Sequence, residues 1–418
     1  MSDLWTYRLL AVLIVCSCGA DWPQWRGPAR DGHAAETLAL PLPDKLALCW
    51  RVPIGEGYAS PVVVGQDVYI LARNRRDEEV CLALDAHTGA LRWQYRYSAA
   101  YEPHPAARSA GKGPKATPLV VGDKVLMCGI NGLLQCFDRR QGKLLWKRDF
   151  AQEFWGKKGP DGYDAWATYC GTAASPLADG HRIIVPVGGA KGGSLAAFDL
   201  DTGRHLWKAL ADRGSYASPV LATLAGVRQV IGFTGTRLVG LRPEDGQLLW
   251  DYPFPIAYEQ TIVTPVIADE LVLVSGDGQP IQALRLHVDE TGQLRPRQVW
   301  RNTDLTCYMS SPVLHRGYVY GLDESGQLVC VAVANGKTQW KGGDFGTYAS
   351  LLVAGDVLLA LSSDADLVAL RATPERYAPL ARWRVSDLGK TWSHVTLAHG
   401  RLYIKDVEHL LCYRLAQQ

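Results

Sequence analysis

Ala59-Ser60-Pro61-Val62-Val63-Val64-Gly65, followed by Val68-Tyr69-Ile70-Leu71, Cys81-Leu82-Ala83-Leu84-Asp85-Ala86-His87-Thr88-Gly89 and Leu91-Arg92-Trp93, decides the fold. Four short β-rich runs separated by turn residues make one antiparallel meander. The closing tryptophan recurs at Trp50, Trp146, Trp207, Trp250, Trp300, Trp340 and Trp383, in steps of 40 residues (Trp300 to Trp340) to 61 residues (Trp146 to Trp207). That period belongs to four-stranded propeller blades rather than to helical solenoids or separate domains.

Aligned on the residue before proline, the units place Ser60, Thr117, Ser175, Ser218, Thr264, Ser311, Ser350 and His394 in register, so eight units are present. Proline follows in the first six; Leu351 and Val395 replace it in the last two. Proline at the start of a strand costs no ladder hydrogen bond. The Asp-x-x-x-Gly step of Asp85 to Gly89 returns as Asp138 to Gly142 and Asp199 to Gly203, with Gly246 and Gly336 keeping the turn where Asp is missing. Its carboxylate accepts nearby amides and its glycine takes the left-handed conformation of a hairpin turn. Trp50 precedes the first Ser-Pro, and the last unit ends at Cys412-Tyr413-Arg414 without a tryptophan. Residues 46–52 are therefore expected to supply the outer strand of the blade formed by residues 393–415, closing an all-β, eight-bladed propeller of four-stranded antiparallel blades and removing its free edge.

The expected organisation is a signal over residues 1–20, an N-terminal arm over 21–45 and the propeller over 46–418. One Arg, the apolar run Leu9 to Val15 and Cys16-Ser17-Cys18-Gly19-Ala20 make a secretory signal with cleavage before Asp21. The run is too short to span a membrane. The same residues carry a second reading, lipid attachment at Cys18, because Val15-Cys16-Ser17-Cys18 resembles a lipobox with an atypical second position. Membrane association is expected only in that case; otherwise the protein is periplasmic or secreted.

Lys and Arg total 44 against 42 Asp and Glu, a balance that leaves no electrostatic footprint for nucleic acid. The ten cysteines of this exported chain raise the question of disulfides. One third-strand position is small in every unit, as Ala83, Cys136, Ala197, Gly240, Ala283, Cys330, Ala369 and Cys412, which makes Cys136, Cys330 and Cys412 packing residues. Cys49 falls in the strand expected beside Cys412, where a disulfide would lock the ring.

Leu84-Asp85-Ala86-His87-Thr88-Gly89-Ala90-Leu91-Arg92-Trp93 and Phe198-Asp199-Leu200-Asp201-Thr202-Gly203-Arg204-His205-Leu206-Trp207 resemble the repeat of the pyrroloquinoline-quinone-like propeller family. Asp21-Trp22-Pro23-Gln24-Trp25-Arg26-Gly27-Pro28 is similar to the opening of its exported bacterial members. The resemblance covers nearly the whole mature chain and implies tryptophans docked between blades. It implies two functional branches: quinoprotein dehydrogenases with quinone and calcium on the axis, and non-catalytic propellers such as the lipoprotein of the outer-membrane barrel-assembly machine. The adjacent cysteines and long insertions of the alcohol-oxidising branch have no counterpart here, and its calcium-binding residues find no match.

Connections between successive units all emerge on one face. Two are long: residues 97–115, with Tyr97, Tyr101, Arg108 and Lys115, and residues 150–173, with Trp155, Tyr163 and Trp166. Because they follow consecutive units, they should be neighbours and raise an aromatic, basic rim. The competing reading is a cap whose aromatics plug the mouth. Three residues before the proline position stand Tyr58, Lys115, Ala173, Tyr216, Ile262, Met309, Tyr348 and Trp392. Tyr58, Tyr216, Tyr348 and Trp392 would ring the axial entrance with flat faces suited to recognition, or else pack there as plugs. His394, in place of Ser or Thr, is a candidate for titration or contact at the mouth, though no cluster near it has metal-ligand spacing. The carboxylate pairs Asp161/Asp164 and Asp364/Asp366 read as turn residues before acid–base pairs. The resulting expectation is a monomeric, non-catalytic binding or scaffolding propeller without cofactor, recognising an envelope protein, peptide or glycan. The rival is a quinone- and calcium-dependent oxidoreductase of alcohols or sugars.

Overall fold

Among the described residues, thirty-two strands order into eight four-stranded antiparallel sheets. The computed structural model describes residues 20–156, 169–189 and 191–415. Seven blades are consecutive meanders, from Val62–Val64 through Leu91–Ser98 in the first to Ala349–Ala354 through Pro379–Arg384 in the seventh. The eighth combines Thr396–Ala398, Arg401–Lys405 and His409–Arg414 with Ala47–Pro53 as its outer strand, and Trp50 lies opposite Cys412. The ring is closed as the unit count requires. Among the described residues no helix is long and apolar enough to cross a membrane.

Outside the seventh blade, where Ala369 pairs with Ala381, the small third-strand residue faces the tryptophan of its blade: Ala83 pairs with Trp93, Cys136 with Trp146, Ala197 with Trp207 and Cys330 with Trp340. A bulge follows each of these pairs, and such a bulge increases the local twist of the strand. Six of the indoles then dock on the next blade. The Nε1 groups of Trp50, Trp93, Trp146, Trp207, Trp300 and Trp340 donate to the carbonyls of Ala86, Arg139, Leu200, Pro243, Val333 and Thr373, at 2.7–3.1 Å. Trp383 donates to Pro43, just ahead of the closing strand.

The repeated glycine is the other half of this joint. A Cβ on Gly142 would lie 2.5 Å from Trp93, and one on Gly203 2.6 Å from Trp146, so the turn needs glycine for close approach as well as for its φ of +68°. Asp85, Asp138 and Asp199 each take two backbone amides of their turn, as their spacing implies. Trp250 is the exception. The fifth blade's last hairpin is long, its Gly292 has nothing within 4 Å, and the Trp250 indole turns to Gln229 of its own blade at 2.5 Å.

In the seventh unit Leu351, which stands in place of proline, joins the ladder, and the inner strand runs over six residues, against three in the first; in the eighth, Val395 replaces proline and the inner strand still spans three. The eight described cysteines are free thiols, with Cys136, Cys330 and Cys412 wholly buried, and no disulfide joins Cys49 to Cys412.

Residues of the 21–45 segment pack on the ring. Trp22 belongs to the core shared by the first, seventh and eighth blades, and exchanges two backbone hydrogen bonds with Val63 of the first inner strand. Pro23 accepts from Val120, and Ala34 and Gly32 pair with Val353. The segment thus enters the axis, turns at Gly27 and runs back, covering inner strand edges that would otherwise face an open channel.

Candidate ligand site at the propeller mouth

The eight residues three places before the proline position, one from each blade, converge on one cavity of about 420 Å³. Tyr58, Tyr216, Tyr348 and Trp392 line it, with Lys115, Ala173, Ile262 and Met309 completing the circle. A shared register explains this: each inner strand starts at the same height, so the residue ahead of it tips toward the axis. Serine and threonine at the aligned position stitch the starts together, since Ser175 Oγ accepts from the Thr117 amide, Ser218 Oγ from Ser175, and Ser311 Oγ from Thr264, at 2.9–3.0 Å.

Trp25 is a lining residue that the repeat does not announce. Carried up the axis by the N-terminal segment, it donates from Nε1 to Thr264 Oγ1 at 3.0 Å and joins the cavity wall at its axial end. The mouth is accordingly an aromatic cup rather than the entrance of an open tube. Tyr58 and Trp392 lie with ring centroids 5.0 Å apart. Lys115 supplies the cup's cation; desolvation pushes its amine down to about 8, against the pull of Cys170 and Glu79, and its Nζ reaches the Gly113 carbonyl at 3.3 Å. Desolvation, reinforced by Glu56, raises the Tyr58 phenol, which stays a neutral hydrogen-bonding tip at physiological pH.

The other sequence candidates divide. Arg108 sits on the short helical turn Pro105–Ala110, whose Ala107, Ser109 and Ala110 line the cup, but its own side chain is exposed and outside the lining. Trp155 lies outside the cup lining: it is half-buried, packs against Gly132 and donates to the Val187 carbonyl at 2.8 Å, between the second and third blades. His394 leaves the mouth altogether. It is buried beneath Trp25, ring centroids 5.4 Å apart, and burial together with Arg26 pushes it down to about 3, so it is a neutral packing residue. Tyr163, Trp166 and the pair Asp161/Asp164 lie outside the described residues. Asp366 pairs with Arg382 and Arg384 across its own hairpin, away from the cup.

The two long connections do meet. Tyr101 donates to the Tyr169 carbonyl at 3.0 Å, His104 packs edge-on against the Tyr169 ring, and Arg213 stacks over it at 5.3 Å.

The PQQ_2 family, described as outer membrane protein assembly factor BamB, matches residues 76–342, more than half of the chain. The chain belongs to that family. A BamB of Burkholderia pseudomallei (strain K96243) is 24% identical over 247 residues, 56% of this chain and 57% of that protein. A quinoprotein ethanol dehydrogenase of Pseudomonas aeruginosa is 26% identical over 176 residues, 39% of this chain but 25% of the enzyme. The chain spans less than two thirds of the length of these curated relatives. In three dimensions it resembles BamB from Moraxella catarrhalis, with a TM-score of 0.62 at 16% identity over 88% of this chain and all of that one. It resembles the quinohemoprotein alcohol dehydrogenase of Comamonas testosteroni nearly as well, with a TM-score of 0.61 at 15% identity over 96% of this chain and 82% of the enzyme. At these identities the likeness establishes the fold alone.

The quinone and calcium of the dehydrogenase branch can be tested against the residues present. Calcium takes six to eight oxygen ligands with carboxylates prominent among them. The described lining of the cup contains no Asp, Glu or Asn, and no group of three or more His, Cys, Asp or Glu with metal-binding geometry occurs among the described residues. These residues do not fit a calcium-held quinone.

Proposed function

We propose that the protein is an exported, non-catalytic scaffold of the bacterial envelope whose cup receives an aromatic or apolar segment of an envelope protein. The observation that carries this reading is the circle itself: one residue from every blade, half of them aromatic, closing on Trp25 with one amine and no carboxylate among the described lining. Such a surface binds by burying flat apolar faces and satisfying a few hydrogen bonds, and it offers no acid–base pair. Family membership supports it, since the matched relatives include outer membrane protein assembly factors. Export fits the same picture: the Asp21 carboxylate accepts the Gly65 amide at 2.8 Å and pairs with His399, so cleavage just before Asp21 would spare the first anchor of the fold.

Fluorescence titration of the mature protein with peptides from envelope proteins, and with glycans as the competing class, tests this reading. Saturable peptide binding that falls at least about tenfold, roughly 1.4 kcal/mol, in Trp392→Ala is expected. Dye-linked alcohol oxidation that appears on adding quinone and calcium, and disappears with chelator, would replace the scaffold with the oxidoreductase.

A further inference from the structure

The segment that builds the floor of the cup also carries two arginines into the axis. Arg26 and Arg30 are 1% and 3% exposed. Arg26 Nη2 donates to the Pro312 carbonyl at 2.5 Å and the Asp31 carbonyl at 3.1 Å. Arg30 Nη1 donates to the Pro176 carbonyl at 2.7 Å and to Gln24 Oε1 at 3.2 Å, and its Nη2 to the Ser175 carbonyl at 3.2 Å. Neutral carbonyls aim a guanidinium but bring no countercharge. Arg26 Nε and Nη1, Arg30 Nε and Thr117 Oγ1 are buried without a partner among the described residues. Thr117 is tied through its amide to Ser175, the residue whose carbonyl holds Arg30, so its hydroxyl belongs to the same side of the axis.

The charges that face this place are few. Asp31 acts on Arg26 but is engaged by His33, and the charged group acting on Arg30 is Arg26, of like sign. His394 contributes none, since its Nδ1 faces the Val395 carbonyl at 3.0 Å and burial keeps the ring neutral. An unpaired buried cation costs several kcal/mol. Water satisfies an N–H but not the charge.

We propose that a small monovalent inorganic anion of the halide class binds on the propeller axis beneath Trp25, between Arg26 and Arg30 and within reach of Thr117. It is a structural ion, independent of whatever enters the cup. The three unpartnered guanidinium nitrogens outnumber the one unpartnered ring nitrogen, His394 Nε2, and select an anion, and the apolar faces of Trp22 and Trp25 beside His394 favour a monovalent one, which costs less to desolvate than a multivalent one.

Crystals grown with bromide in place of chloride, measured at the bromine edge, test it directly. The expected result is one anomalous peak between the two guanidinium groups, with a melting temperature that rises to saturation as halide replaces gluconate at constant ionic strength. Arg30→Met should lose both, and Thr117→Val should weaken the rise; the second variant carries the test if the first does not fold. Ordered water without anomalous signal on the axis, or a halide-dependent rise unchanged in the variant that folds, would overturn the proposal.

Discussion

At the periphery, blade meets blade through repeated copies of one contact, an indole on the turn glycine of the next blade; along the axis, inside the serine and threonine links between neighbouring blades, a single unrepeated segment reaches across the ring. From Trp22 to Ala34 that segment touches Val63, Val120, Ser175 and Pro176, Thr264, Pro312, Val353 and His394, which belong to seven of the eight blades. The rim divides its work into equal parts and tolerates an exception at Trp250. The axis concentrates its work in a few side chains and has no spare copy, so damage there should cost more per residue.

Trp22→Ala is expected to have the largest effect, about 3–5 kcal/mol, because it empties a fully buried site shared by three blades. A melting curve that moves no further than that of an exposed-site variant such as Leu48→Ala would break the comparison. At the rim, Gly203→Ala should cost about 2–4 kcal/mol, combining left-handed strain with collision against Trp146. Gly292→Ala separates those two terms: its φ is +81° but nothing lies within 4 Å, so only about 1 kcal/mol of strain remains. Equal losses at the two glycines, read by urea unfolding, would show that the Trp–Gly joint adds nothing.

The mildest test near neutral pH returns to the axis. His394 stays neutral in the fold down to about 3, whereas in the unfolded chain it takes a proton near its ordinary 6.5. Between those values the unfolded state binds the extra proton, so stability is full above about 6.5 and falls with falling pH, by up to about 1.4 kcal/mol per unit from this group. His394→Ser, which restores the hydroxyl of the other units, should flatten that acid limb, while the loss of a buried ring packed on Trp22 and Trp25 lowers stability by an offset that does not vary with pH. An unaltered slope would mean that the ring reaches solvent.

Which parts of this were legible in the sequence follows from the same contrast. Eight units, the closing strand and the four mouth aromatics were readable because each repeats at a fixed offset from a serine or threonine. The Trp–Gly joint was half readable: the glycine's turn role lies within five residues, but its contact with Trp146 spans 57 residues and appears only once blades stand side by side. Trp25, Arg26 and Arg30 were not readable as axial residues, because a segment without repeats has no neighbour to be aligned with. Trp155 and His394 misled for a related reason. A position in a loop or at a strand start does not fix side-chain direction, which depends on packing, and neither side chain is among those that line the cup.

The claim on which the functional account rests is that ligand enters the cup. A photo-crosslinking amino acid placed at Tyr58, inside the cup, and separately at Leu48, exposed on the outer closing strand, tests it in living cells. The account predicts an adduct to an envelope protein from position 58, competed by the peptide that binds the purified protein, and none from position 48. An adduct from position 48 with none from position 58 would contradict it.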